Sequence, residues 1–366
     1  MTPTRVVIPR RRPWRSAGGP ARVLVAAGAA LVVLAACGAS YRAPEALSLP
    51  DPVTASTAAT PQLADCGGPN DKLPAEASYP ALGSLPAPGQ MPAGSYMAQI
   101  QQRGKLVVGT SIDTKLFSSI DPATNKIEGF DVDMARLVAS AIFGPNDVDT
   151  RLELRGITYA QRIPKVVSGE VDLVAHTMTI NCKRWQQVAF SGVYLWAGQR
   201  LLVAEGSGVL VIDDLAGRNV CVSAGGTSAD EMRSLKLDPP ITVTEVANQT
   251  DCVVLFQRGE VDAIRSDDTV LAGFRDQDPF SEIVGLFLTQ EPYGMAMSLD
   301  HPEFTAFVNA VLDRAKADTS PAGWTGRYDQ WLRESLGPPA ARINVGQPAV
   351  PGVPAPDYNR PRPAGS

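Results

Sequence analysis

The stretch FDVDMARLVASAIF, residues 130–143, places apolar side chains at the spacing of one helix face. The chain before it contains KLVVGT (105–110), a short apolar run typical of a strand, and the chain after it contains VDTRLEL (148–154), whose alternation also predicts a strand. A helix between two such strands predicts a βαβ unit with parallel strands. We therefore expect an α/β fold.

The same alternation continues along the chain and restarts once. The predicted elements are a helix at 158–170, strands at 171–175 and 199–208, then a second series with strand 219–224, a helix from Gly226, strand 241–246, helix 248–258, strand 261–268 and helix 269–276, followed by strand 293–299 and helices 301–317 and 321–336. Two such series predict two lobes with a cleft between them. Ligands of open parallel sheets bind in such clefts, at the carboxyl ends of strands.

Both ends of the chain differ from this pattern. Residues 1–37 combine an Arg-rich segment without acids and an apolar run that ends in LAAC, which predicts a signal peptide with a lipobox. Cys37 would then carry lipid and anchor the protein outside the cell, at the cell membrane on its extracytoplasmic (periplasmic) face. The alternative is an ordinary signal peptide. Residues 38–95 are predicted to be a Pro/Ala-rich spacer, and residues 337–366 a Pro-rich tail.

The cysteines fit an oxidising compartment, because removing Cys37 leaves an even number. The four others, Cys66, Cys182, Cys221 and Cys252, allow three pairings. Cys221 and Cys252 lie in one β/α neighbourhood, so we favour Cys221 with Cys252, which leaves Cys66 with Cys182. We expect no metal and no cofactor, since no CxxC or HxxxH spacing occurs. The net charge of -5 also argues against nucleic acid as a partner.

Polar residues follow the predicted strand 171–175, in the stretch HTMTINCKRW (176–185). Thr177 and Thr179 leave the carboxyl end of the strand, and Arg184 follows about one helical turn later. Two hydroxyls and a guanidinium suit a carboxylate ligand. Alternatively, the threonines cap the helix that begins near Asn181, and Arg184 is a solvated surface charge.

Two further motifs lie in the second series. SAGGTSAD (223–230) opens a helix, so the N–H groups of Thr227 and Ser228 would face an anion, unless they only cap the helix. In VDAIRSDD (261–268), Asp267 or Asp268 could pair with an ammonium group, although Asp268 could also be a helix cap. Carboxylate receptors together with one acid predict a site for a zwitterion, an α-amino acid.

The sequence also resembles a known family. GFDVDMARLVASAI (129–142), the stretch 159–195 and the two second-series motifs are together similar, over about residues 105–336, to the family 3 extracellular solute-binding proteins, which bind polar amino acids for ABC importers. The resemblance implies the type II periplasmic-binding-protein fold, in which two α/β lobes are joined by two crossing segments. Lobe 1 would comprise residues 100–197 and 292–336, and lobe 2 residues 198–291.

The resemblance also implies roles for individual residues. The family's α-carboxylate ligands match Arg184, Thr179 and the backbone of Ser228, and its ammonium ligands match the carbonyl of Thr177 and the carboxylate of Asp267. Its aromatic wall matches Phe117 and Tyr159.

Two further positions carry cations that bear on which amino acid the site would bind. Lys115 stands where an uncharged residue is usual, and Arg162 matches an arginine that members accepting acidic amino acids use. Two unpaired cations would be costly to bury. The expected ligand is therefore glutamate or aspartate, with asparagine or glutamine binding more weakly; the alternative is that Lys115 points to solvent.

The predicted function is capture by lobe closure, with the hinge near residues 197 and 292. The protein is expected to be a monomer that serves an ABC permease. A transmembrane sensor is an alternative partner. An enzyme on the same fold, such as a periplasmic dehydratase, is disfavoured because the pairing of Asp267 with an ammonium is the simpler use of that acid.

Overall fold

The structure is a computed structural model that describes residue 66 and residues 75–339. The predicted signal peptide, Cys37 and most of the predicted spacer and tail lie outside the described residues. None of the helices within 75–339 has both the length and the apolar character needed to cross a membrane.

The described residues contain helices and short strands in alternation. The helices are α1 (Tyr96–Arg103), α2 (Phe130–Phe143), α3 (Val148–Arg151), α4 (Arg162–Val167), α5 (Cys182–Trp185), α6 (Thr227–Ser234), α7 (Gln249–Gln257), α8 (Asp268–Arg275), α9 (Pro302–Ala317), α10 (Trp324–Trp331) and α11 (Arg333–Leu336), with 3-10 turns at Tyr159–Gln161 and Ile212–Leu215. The strands are β1 (Leu106–Thr110), β2 (Asp113–Thr114), β3 (Ser118–Ile120), β4 (Ile127–Glu128), β5 (Leu152–Gly156), β6 (Leu173–Val174), β7 (Ala189–Phe190), β8 (Leu195–Ala197), β9 (Gln199–Ala204), β10 (Asn219–Ser223), β11 (Thr242–Val246), β12 (Ala263–Asp267), β13 (Ser281–Val284), β14 (Glu291–Tyr293) and β15 (Ala296–Met297).

Two five-stranded sheets organise these elements. The first has the order β5-β1-β6-β15-β7 and the second the order β11-β10-β12-β9-β13. In each sheet the first three strands are parallel, and the fourth runs antiparallel to its neighbours. We call the parts of the chain around the first and second sheets lobe 1 and lobe 2. The chain crosses between them from β8 to β9 and from β13 to β14, and β8 pairs with β14 in antiparallel register.

Helix α2 shows how the sequence builds lobe 1. Its apolar side chains are buried in one core cluster together with those of α9 and α10. The residue before it, Gly129, has a φ of 139°, and a β-carbon there would lie 2.3 Å from the carbonyl group of Phe117. Only glycine fits this close approach of two backbone segments.

Two predicted strands differ in the structure. Residues 148–151 form α3 instead of the first half of a strand, because their side chains are mostly exposed and the N–H groups of Thr150 and Arg151 donate to the carbonyl of Asp147. The predicted strand 293–299 is divided, with β14 in the connection between the lobes and β15 in the first sheet.

Part of the predicted spacer packs against lobe 1. Ser78 Oγ donates to the carbonyl of Phe190 at 2.6 Å, and Leu82 N donates to that of Ala306 at 3.1 Å. Ala75 and Ala77 are buried. Residues 75–95 are therefore not a free spacer. Their sequence has no periodicity that would predict packing, but hydrogen bonds to lobe 1 hold them in place.

Two disulfides are present, and they are the pairs favoured from the sequence. Cys66 is bonded to Cys182 and so joins the chain before the lobes to α5. Cys221 is bonded to Cys252 and joins β10 to α7 inside lobe 2.

Candidate functional site

Side chains of both lobes line a small cavity in the cleft. Eight of the ten ligand-binding residues predicted from the sequence lie in its wall, and Ser223, Gly226 and Ser266 were not predicted. The wall consists of Tyr159, Arg162, Thr177, Thr179, Arg184, Ser223, Gly226, Thr227, Ser228, Ser266 and Asp267.

Arg184 is the cation at the end of α5. Asn181 caps this helix, its side chain accepting from the backbone N–H of Arg184 at 2.9 Å. The guanidinium Nη1 donates to the carbonyl of Thr179 at 2.6 Å. Burial lowers the pKa of Arg184. Among the described residues, Arg184 forms no ion pair with a carboxylate, so its charge is available to a bound anion.

Thr177 has a backbone conformation that few β-branched residues adopt, with a φ of 39°. Its N–H donates to Asp131 Oδ2 at 2.7 Å, and its hydroxyl lies 2.8 Å from that of Tyr159. Asp131 is fully buried, and burial raises its pKa to about 7 against the opposing effect of the hydrogen bonds from Tyr194 and Thr177. The motif of α2 thus fixes a strained residue in the cavity wall.

Glu291 is a functional candidate that the sequence analysis missed. It is buried in the crossing strand β14 and accepts hydrogen bonds from the hydroxyls of Thr179 and Thr227 and from Gln199 Nε2. The hydroxyl of Thr179, predicted to face the ligand, is therefore used by Glu291 in this structure. A lone acid directly before the apolar stretch PYGMAM is the signal that could have found it.

Asp267 ends β12 and lies in the wall on the lobe 2 side. Its Oδ2 accepts from the hydroxyl of Tyr293. Burial, followed by the negative charge of Glu291, raises the pKa of Asp267 well above its usual range. Asp267 has no ion pair with a cation of the described chain. Asp268 instead accepts from the N–H of Gly198 at 3.1 Å, which ties α8 to the crossing segment.

Arg162 is committed to backbone carbonyls rather than to a free anion site. Its guanidinium lies 4.0 Å over the ring of Tyr159 and donates to the carbonyls of Tyr159, His176, Thr177 and Gly225. Burial, with the positive charge of Arg184 next, lowers its pKa to about 9. Most of its donors are therefore engaged within the protein, which differs from the predicted contact with a ligand side chain.

Lys115 and Phe117 lie outside the cavity wall, which differs from the sequence prediction. Lys115 is 43% exposed and pairs with Asp276 at 3.7 Å. Phe117 is buried in the core of lobe 1, with its ring centroid 6.3 Å from those of Phe130 and Tyr293. The chain turns between them at Leu116, whose φ is 75°. This turn gives the two side chains different surroundings, which the sequence pattern did not reveal.

The lobes contact each other around the cavity. Asp113 Oδ2 accepts from the hydroxyl of Thr250 at 2.8 Å, and Lys183 pairs with Asp230 at 3.1 Å. Gly225, with a φ of 80°, approaches so closely that a β-carbon on it would lie 2.9 Å from the backbone of Ala160.

The sequence that forms these lobes and their cleft matches a known family. The model of the bacterial extracellular solute-binding proteins, family 3, matches residues 106–334. The chain belongs to this family. The members of this family are extracellular solute-binding proteins and not enzymes.

Several relatives of this family 3 protein have named ligands. The ABC transporter glutamine-binding protein GlnH of Bacillus subtilis is 33% identical over 65% of this chain and 85% of its own length. The glutamate-binding protein GluB of Corynebacterium efficiens is 32% identical over 68% of this chain and 84% of its own length. A solved ancestral arginine-binding protein bound to arginine has a TM-score of 0.57 and 30% identity, covering 63% of this chain and 99% of that one. The fold is the type II periplasmic-binding-protein fold.

Proposed function

We propose that this protein captures a polar α-amino acid outside the cytoplasm by closure of its lobes and delivers it to a membrane ABC importer. The candidate ligands are glutamate, aspartate, asparagine and glutamine. An importer is favoured over a sensor because one relative is named as an ABC transporter binding protein.

The observation that carries this proposal is a cation of lobe 1 and an acid of lobe 2 in the wall of one cavity. Arg184 of lobe 1 and Asp267 of lobe 2 are both buried in its wall, and neither has an ion pair within the described residues. An isolated buried charge is costly, so Arg184 favours an anionic partner. A zwitterion would offer its α-carboxylate to Arg184 and its ammonium group to Asp267, whose ionised form that ammonium group would stabilise.

The proposed residue roles follow from the same cavity. Arg184 and the backbone N–H of Ser228 at the start of α6 hold the α-carboxylate, while Asp267 and the carbonyl of Thr177 hold the ammonium group. Tyr159 provides an aromatic wall. Because Arg184 and Asp267 lie in different lobes, one ligand bridges them and favours the closed state over the open state.

The proposed anchor is a lipid on Cys37. The chain between Cys37 and Cys66, whose disulfide with Cys182 ties it to α5, would separate the lobes from the membrane. Replacing Cys37 by Ala should move the protein from the membrane fraction to the soluble fraction after cell lysis. Retention of Cys37→Ala in the membrane fraction would contradict the anchor but not the amino acid site.

The amino acid site is tested by isothermal titration of the purified full-length chain with the four candidate ligands. We expect at least one to bind, and Arg184→Ala to weaken that binding by about 100-fold or more, since a buried charge pair would lose one partner. Arg258→Ala, which alters an exposed arginine paired with Glu260, is the matched control and should bind normally. Equal binding by both variants would contradict the role of Arg184.

A further inference from the structure

The chain that precedes the family region is attached to the helix that carries Arg184. The family model begins at residue 106, whereas Cys66 and residues 75–82 lie before it and contact lobe 1. We call Cys66 together with residues 75–82 the strap. Cys66 is bonded to Cys182, the first residue of α5, and Arg184 belongs to the same helix. The strap is therefore joined to the chain within one helical turn of the cation of the proposed site.

Helix α5 is too short to be stable through its own hydrogen bonds. It consists of a single turn, in which the side chain of Asn181 accepts from the N–H of Arg184 and its carbonyl accepts from the N–H of Trp185. Isolated helices of this length do not persist in water, because closing the first turn costs more conformational entropy than one hydrogen bond recovers. The position of Arg184 therefore depends on what holds α5 from outside.

The strap contributes to holding α5 at both of its ends. Cys182 begins the helix and is bonded to Cys66. Trp185 ends the helix, is 5% exposed, and belongs to the same apolar cluster as Ala77 of the strap, against which Cys66 also packs. Burial of a large aromatic side chain is strongly favourable. Arg184 lies between these two attachment points.

The strap is itself fixed to the body of lobe 1. Asn309 of α9 donates through Nδ2 to Ser78 Oγ at 2.8 Å and to the carbonyl of Tyr79 at 2.6 Å. The Oδ1 of Asn309 accepts from the N–H of Gly192 at 2.7 Å, so the same side chain also holds the chain that follows β7. A binding residue is placed precisely when the groups that support it are themselves fixed. The disulfide therefore ties α5 to a fixed part of the lobe.

The two disulfides differ in exposure. Cys66 and Cys182 are both partly exposed, whereas Cys221 and Cys252 are 0% and 1% exposed. Thiol–disulfide exchange requires a thiolate to reach one of the two sulfur atoms. A dithiol in solution should therefore reduce the disulfide of the strap before the disulfide of lobe 2.

We propose that the strap positions Arg184 through the Cys66–Cys182 disulfide, so that the protein binds its amino acid tightly when this disulfide is closed and weakly when it is reduced. The inference rests on the proposed function, in which Arg184 holds the α-carboxylate. Cys66 and Cys182 do not line the cavity, so they are positioning residues that act through Arg184.

The reductant in this step is a dithiol. One of its thiolates attacks a sulfur of the disulfide, and the other protein sulfur leaves as a thiolate that takes up a proton. The second thiol of the reductant then displaces the remaining protein sulfur. The protein gains two electrons and two protons as two thiols, and the dithiol becomes a disulfide.

The first test is isothermal titration of the full-length chain with glutamate, aspartate, asparagine and glutamine, before and after treatment of the folded protein with dithiothreitol. Alkylation and peptide mass identify the cysteines that have been reduced. We expect affinity to fall about tenfold or more when Cys66 and Cys182 are reduced and the other disulfide is closed. Unchanged affinity in that state, or earlier reduction of the buried disulfide, would overturn the inference and leave the proposed function intact. Failure of every amino acid to bind the oxidised chain would overturn the proposed function itself.

The second test compares two variants that each lack one disulfide. Cys66→Ala with Cys182→Ala should bind about tenfold or more weakly at low temperature, whereas Cys221→Ala with Cys252→Ala, the matched control, should keep its affinity. A merely structural disulfide would lower the stability of the first variant and leave its affinity unchanged, and that result would overturn the inference.

The third test asks whether the disulfide acts through Arg184. In an Arg184→Ala background, removing Cys66 and Cys182 should lower affinity by less than about threefold, because the side chain that they position is absent. A tenfold loss in both backgrounds would mean that the disulfide acts by another route and would overturn the inference. If the variant without Cys66 and Cys182 does not fold, dithiothreitol treatment of the unaltered chain and of Arg184→Ala makes the same comparison.

Discussion

Arg162 of lobe 1 donates through Nη2 to the carbonyl oxygen of Gly225 in lobe 2, at a distance of 3.2 Å. Arg184 Nη2 donates to the same oxygen at 3.3 Å. Two guanidinium groups of lobe 1 thus meet one backbone carbonyl of lobe 2 at the edge of the proposed site. The close approach of Gly225 is what allows both contacts in the closed cleft.

Gly225→Ala should therefore impair closure. Its β-carbon would lie 2.9 Å from Ala160 in the other lobe, so the lobes could not approach fully. We expect ligand affinity to fall by about tenfold or more, measured by titration calorimetry.

Gly206→Ala is the matched control for that change. Gly206 also has a positive φ, of 72°, but has open space where a β-carbon would be. Both variants should lose about 1–2 kcal/mol of unfolding free energy from the left-handed conformation, and only Gly225→Ala should lose affinity. Equal affinities in the two variants would contradict the role of this contact.

Ligand binding should release a proton from Asp267. Burial raises the pKa of this carboxyl group well above its usual range in the ligand-free cleft, so the protonated form is favoured there. A ligand ammonium favours the ionised form, and the proton is lost on binding. Affinity should therefore weaken as the pH falls, because protons then compete with the ligand.

Calorimetry in two buffers of different ionisation enthalpy measures this proton release directly. Asp267→Asn should abolish the buffer dependence and weaken binding by about 30-fold or more. A binding enthalpy that is independent of the buffer in the unaltered protein would contradict the protonated state of Asp267.

Lys115→Gln should leave the affinity for every amino acid within about twofold of its original value. The side chain is 43% exposed and its ion pair with Asp276, at 3.7 Å, is of the exposed kind that contributes little. A selective loss of glutamate binding in this variant would restore the sequence-based role of Lys115.

Removing the disulfide within lobe 2 should destabilise the protein without altering the cavity wall. For Cys221→Ala with Cys252→Ala, the sequence separation of 31 residues corresponds to a loss of about 3–4 kcal/mol on the chain-entropy model. Chemical denaturation measures this loss. Ligand affinity at low temperature should be preserved, since neither cysteine lines the cavity of the proposed site.

The sequence alone predicted the features that depend on local patterns. Helical spacing indicated α2, and threonines and acids at strand ends indicated where a candidate site would be. These signals are short in range, because periodicity, capping and strand ends involve residues a few positions apart.

Only the tertiary structure decided which of the predicted cations remain free for a ligand. Arg162 donates to four backbone carbonyls, among them that of Gly225 in the other lobe, and Lys115 pairs with Asp276, so both have partners that are remote in sequence. The same holds for Glu291, which accepts a hydrogen bond from Thr179, a residue 112 positions away in the sequence. Hydrogen-bond satisfaction is a property of the whole packed chain, and so the polarity of the site became visible only when the two lobes were brought together.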